Sequence, residues 1–100
     1  MICVTHEEEE MDKIRWLVFS YNLPAEPTRA RVWIWRKLKK LGAVNARQSL
    51  WLLPHTEENR RNLEASCAYI EKNGGTSLLL EGTALDDRVQ SLIMALFREA

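Results

Sequence analysis

A ten-residue run, Ile14–Leu23 (IRWLVFSYNL), stands between an acidic N-terminal segment and Pro24. Its β-branched and aromatic side chains favour a pleated strand. Pro24 has no amide hydrogen to give to a ladder, so the strand stops there. The run is apolar almost without interruption, which leaves no face for water. Such a strand belongs in the middle of a sheet rather than at its edge. Every other element must therefore supply either a neighbouring strand or a covering layer.

The segments that follow supply both. Pro27–Leu41 reads as a helix: Pro27 suits the first turn, Gly42 suits the residue after the end, and Lys39 and Lys40 complement the C-terminal dipole. At about 100° per residue, Ala30, Ile34, Leu38 and Leu41 share one stripe, the expected core face. Arg29, Trp33, Arg36, Lys37 and Lys40 share a second stripe on the other side, with one large aromatic among four bases. Trp35 falls at the core margin, nearer Arg31 and Leu38. Ala43–Pro54 is a second extended region, with Val44–Gln48 and Ser49–Leu53 forming one bent strand or two short ones. Thr56 caps a second helix, Glu57 and Glu58 occupy its first turn, and Gly74-Gly75 ends it. Its buried stripe is Leu63, Cys67 and Ile70. Thr76–Glu81 is the last strand. Asp86 caps a third helix with a stripe of Val89, Leu92, Ile93 and Leu96.

Short strands alternating with one-faced helices predict an α+β fold. The specific expectation is a ferredoxin-like sandwich: a mostly antiparallel sheet covered by helices on one face, with an extra C-terminal helix. A doubly wound parallel sheet needs more strands than this chain offers. One hundred residues suit one domain. The expected division is an acidic disordered arm over 1–13 and the folded domain over 14–100. Four consecutive glutamates repel one another and bury nothing.

Formal net charge is zero, so no global field draws in nucleic acid or membrane. The total hides a segregation: residues 1–12 hold five acids and no Lys or Arg, whereas 28–54 hold seven bases and no acid. Such blocks act locally. No apolar run reaches the ~20 residues of a membrane span, and Met1–Val4 is too short for a signal-peptide core. Cys3 and Cys67 do not make a disulfide framework, which points to reduced thiols in a cytoplasm.

Marks of catalysis are few. Gly74-Gly75 lies between a helix and a strand, the wrong order for a phosphate loop. His6 and His55 have no Cys or Ser at a nucleophile's spacing. Cys3 and His6 make at most half a metal site, and Cys67 reads as a small core residue. Glu57-Glu58 and Asp86-Asp87 are explained by helix dipoles. No catalytic residue, metal or cofactor is expected. The basic stripe is the strongest functional signal: Arg29, Arg36, Lys37 and Lys40 suit phosphates, and Trp33 suits stacking or a partner. Against this, four bases on a helix are also an ordinary solvated face, with Trp33 covered by the third helix or by a second copy. Arg31 and Arg36 are a candidate pair for an oxyanion.

Trp16, Leu23-Pro24, Arg31-Val32, Trp35-Arg36, Leu38-Lys39, Gly42-Ala43 and Leu52-Leu53-Pro54 form a spaced pattern that resembles the N-terminal domain of ChrB-type chromate-resistance proteins. Gly74-Gly75 before Ser77–Leu80, and Ala95–Arg98, also fit it. The resemblance implies a regulatory, non-enzymatic domain tied to transcriptional control of chromate efflux. The expected partners are a second copy, DNA, and chromate or another oxyanion. It also implies a second domain beyond Ala100, where the last helix is still running. More remotely, the pattern is similar to the C-terminal domain of the phenylacetate repressor PaaX and to small CRISPR-associated ferredoxin-like nucleases. Those nucleases hold a metal with an aspartate at the end of strand 1; the matching residue here is Asn22. A divergent nuclease, acting through Asn22 or Glu26, is the alternative reading.

Overall fold

The computed structural model describes residues 14–25 and 28–99. Its elements run β1 (Arg15–Asn22), α1 (Thr28–Leu41), β2 (Val44–Arg47), β3 (Leu50–Pro54), α2 (Glu57–Lys72), β4 (Thr76–Thr83) and α3 (Asp87–Glu99). The sheet order is β2-β3-β1-β4, and every neighbouring pair is antiparallel. β1 and β2 therefore run parallel with β3 between them, and β3 and β4 run parallel with β1 between them. Two interleaved split βαβ units of this kind make the expected ferredoxin-like α+β sheet.

β1 is interior, as its apolarity demands. It pairs with β3 from Trp16↔Pro54 to Ser20↔Leu50, and with β4 from Arg15↔Thr83 to Asn22↔Thr76. Strand alternation sends Leu17, Phe19 and Tyr21 to one face, where Trp51 and Leu53 join them. α1 and α2 close that face with Ala30, Ile34, Leu38, Leu63 and Ile70. Ile34, Leu38, Leu63 and Ile70 are wholly inaccessible to solvent.

The Ala43–Pro54 region resolves into two strands. They form a hairpin with a bulge between Asn45 and Arg47. Asn45 Nδ2 braces the turn by donating to the Gln48 carbonyl at 2.7 Å and the Leu50 carbonyl at 3.1 Å. In α2 the buried residues are Leu63, Ser66 and Ile70, whereas Cys67 is only partly buried against the core. Ser66 tolerates that position because its hydroxyl donates to the Asn62 carbonyl at 2.9 Å.

The extra C-terminal helix lies on the opposite face of the sheet. Trp16 points there, next to the inward Leu17. Phe97 stacks on Trp16 with ring centroids 5.2 Å apart, and the Trp16 indole N–H donates to Gln90 Oε1 at 3.0 Å. Gln90 and Phe97 share one stripe, and Leu92 lies about 160° round the helix from Gln90. Leu92 is accordingly 58% exposed rather than part of the buried stripe. The other three expected positions, Val89, Ile93 and Leu96, are half-buried. Among the described residues, no helix is long and apolar enough to cross a membrane.

Candidate functional site

The basic stripe of α1 forms as the helical spacing dictates. Burying Ala30, Ile34 and Leu38 turns Arg29, Arg36 and Lys40 outward, with Trp33 and Lys37 between the two stripes. A shallow depression of about 610 Å³ runs along this side. Among the described residues it is lined by Thr28, Arg29, Val32, Trp33, Arg36, Lys37 and Lys40. All five side chains of the expected contact surface therefore meet in one place.

Trp33 is neither buried nor free. It is 40% exposed, and its ring stacks on Tyr69 of α2 with centroids 3.8 Å apart. The Lys37 ammonium lies 5.9 Å from the centre of the Trp33 ring, near the outer limit of a cation–π contact. Of the two covers considered for Trp33, the third helix and a second copy, the first is not available, because α3 sits on the far face of the sheet; the contact within the chain comes from α2. Tyr69 is the residue that sequence reasoning missed. Its only signal was its position beside the buried Ile70. Trp35 also departs from expectation: it is 51% exposed, with Lys39 5.7 Å from its ring centre. Val32, at 41% exposure, adds a third large apolar side chain to this helix surface.

Among the described residues, the cations of the stripe form no ion pair. Among the described residues, ion pairs join Arg60 to Glu57 and Glu64, Arg61 to Glu57, and Arg15 to Glu81. None involves Arg29, Arg36, Lys37 or Lys40. The hydrogen bond and charge of Arg60 hold the Glu57 carboxyl below its ordinary range. Among the described residues, acid–base pairing is concentrated on α2 and at the Arg15 end of the sheet, and the cations lining the α1 depression take no part in it.

Arg31 and Arg36 are not brought together. Five residues along a helix is about 140° of rotation. Arg31 faces the neighbourhood of Tyr21. Burial raises the Tyr21 hydroxyl above its ordinary range, and the Arg31 guanidinium opposes that shift. Arg36 instead lines the depression.

Asn22 ends β1, exposed and paired with Thr76. Glu26, the acidic arm, Cys3 and His6 lie outside the described residues. Among the described residues, no three His, Cys, Asp or Glu side chains cluster as a metal site would require. His55 is a cross-strand tie: its amide donates to the Arg15 carbonyl at 2.8 Å, and its Nε2 lies 2.8 Å from Glu81 Oε1.

A family model described as "Protein ChrB, N-terminal" matches residues 31–100. The match takes in Trp33, Arg36, Lys37 and Lys40 and leaves out β1 and Arg29. The Protein ChrB of Cupriavidus metallidurans is 32% identical over 82 residues, covering 82% of this chain and 25% of that protein. The chain thus spans about a quarter of the length of the curated relative it matches. No solved structure matches it. With most of the fold and four of the five stripe residues inside the matched region, this chain belongs to the ChrB N-terminal family.

Proposed function

We propose that this domain is a non-catalytic, cytoplasmic part of a transcriptional regulator of chromate resistance. It works as a pair of copies and contacts DNA through the basic face of α1. One observation carries the reading. Arg29, Arg36, Lys37 and Lys40 line a single open depression around Trp33, and none of the four is ion-paired among the described residues. Cations placed against backbone phosphates release the counterions condensed on DNA, and that release drives binding without a net charge on the protein. Trp33, held on one side by Tyr69, offers a rigid aromatic surface to a sugar or an unstacked base.

A gel-shift titration at low salt tests it. The unmodified chain retards duplex DNA, and the double reversal Arg36→Glu/Lys40→Glu abolishes the shift. Failure of the unmodified chain to bind would remove the DNA part of the reading. Chromate held between Arg31 and Arg36 fits less well, because the two residues face different sides of α1 and the depression is far larger than one tetrahedral ion. Calorimetry with chromate is expected to give flat heats. Heats that vanish on Arg36→Ala would favour an oxyanion sensor. Mg²⁺- or Mn²⁺-dependent cleavage lost on Asn22→Ala or Glu26→Ala would favour the nuclease.

A further inference from the structure

The two edges of the sheet differ in how they meet solvent. Free strand edges template pairing with other chains, and proteins blunt them with short length, charge and bulges. β2 has all three: four residues, an exposed Arg47, and a bulge between Asn45 and Arg47. β4 is neither short nor bulged. It is eight residues long, TSLLLEGT, with no Pro, Lys or Arg. Its one charge, Glu81, lies 3.4 Å from the Arg15 guanidinium. Leu78 and Leu80 are 65% and 58% exposed on the face turned away from α1 and α2. α3, drawn to Trp16, leaves them uncovered.

We propose that β4 is the joint between two copies of this chain, paired antiparallel about Leu79. The geometry of a strand on itself selects the register. Opposite residues in an antiparallel pair share a face, so a two-fold axis normal to the sheet must pass through a residue and not between two. With the axis at Leu79, Leu78 meets Leu80 of the second copy, Ser77 meets Glu81, and Thr76 meets Gly82. Four exposed leucines then form one apolar patch, and the two sheets join into one of eight strands. The charges are compatible: each Glu81 faces a serine hydroxyl and no like charge. An unrelated strand would have to supply two leucines in this spacing, whereas a second copy supplies them by symmetry. An edge joint of seven residues is small beside the ~1,200–2,000 Å² of standard interfaces, so the association is concentration-dependent. The joint rests on the two-copy part of the function proposed above and is independent of the DNA part.

Sedimentation equilibrium on the 100-residue chain, from low micromolar to millimolar, tests the joint. The mass rises toward that of a dimer, and Leu78→Lys/Leu80→Lys weakens self-association at least about tenfold while circular dichroism stays unchanged. A second measurement does not depend on that variant's folding. In a Cys3→Ser/Cys67→Ser background, a mixture of Leu78→Cys and Leu80→Cys chains forms the mixed disulfide faster than either chain links to itself. A chain that stays monomeric throughout overturns both the joint and the two-copy reading. A dimer indifferent to the lysines, without preferential 78–80 cross-linking, overturns the joint alone.

Discussion

Trp33 sits where two demands on one helix meet. It shares a stripe with Arg29, Arg36 and Lys40, and its inner ring face lies on Tyr69. The stripe was legible from spacing alone, since helical periodicity fixes which side chains of one helix are neighbours. The Tyr69 contact was not, because it depends on how α2 is rotated against α1, which only three-dimensional packing decides. A double-mutant cycle on Trp33→Ala and Tyr69→Ala should give a coupling of about 0.5–1.5 kcal/mol in urea unfolding, the usual range for stacked aromatic pairs. Coupling indistinguishable from zero would contradict the stack. Tyr21 supplies a second prediction. Its hydroxyl is raised in the folded state by burial, with Arg31 opposing. A raised folded pKa means the stability it contributes is complete below the unfolded value of about 10 and is lost as pH rises through the folded value. Ultraviolet titration should show Tyr21 ionising above the ordinary range, and Arg31→Gln should push it higher. A decrease on that substitution would place Arg31 elsewhere.

The ends of the elements were the best-read parts of the chain, because caps are local chemistry. Thr56 Oγ1 accepts from the Asn59 amide at 3.0 Å, and Asp86 Oδ1 accepts from the Val89 amide at 3.0 Å. Thr56→Ala should cost about 1 kcal/mol of stability by urea denaturation. Gly42 and Gly74 both adopt φ of 87° where α1 and α2 stop. Gly75 has a different reason to be glycine. A Cβ there would lie 2.3 Å from the Asn22 carbonyl oxygen and 2.8 Å from Ile70 Cγ2. Gly75→Ala should therefore destabilise by at least about 2 kcal/mol, as overpacking against backbone does. A loss below about 0.5 kcal/mol would mean that this end of β1 is loosely packed. Helix rotation was read less well than helix ends. Ser66 is fully buried and Cys67 only partly, and α3 is turned so that Gln90 and Phe97 meet Trp16. Both differences come from partners on other elements that no local pattern names.

Across the whole molecule, the apolar run of β1 was enough to place it inside the sheet, and the alternation of elements was enough for the antiparallel α+β class. What the pattern left open was the division of the helices between the two faces: α1 and α2 enclose the core, while α3 packs on the other side against Trp16 and toward β2. That division leaves two surfaces unaccounted for by folding, the β4 edge with its exposed leucines and the basic depression on α1. The central claim concerns the second. Fluorescence anisotropy on labelled duplex DNA, repeated over a series of salt concentrations, tests it most directly. Four phosphate contacts predict a slope of log K against log salt near about −3.6, and Lys40→Gln should reduce its magnitude by about 0.9. Binding whose salt slope is unchanged by that substitution, or no binding at the lowest salt, would contradict the account.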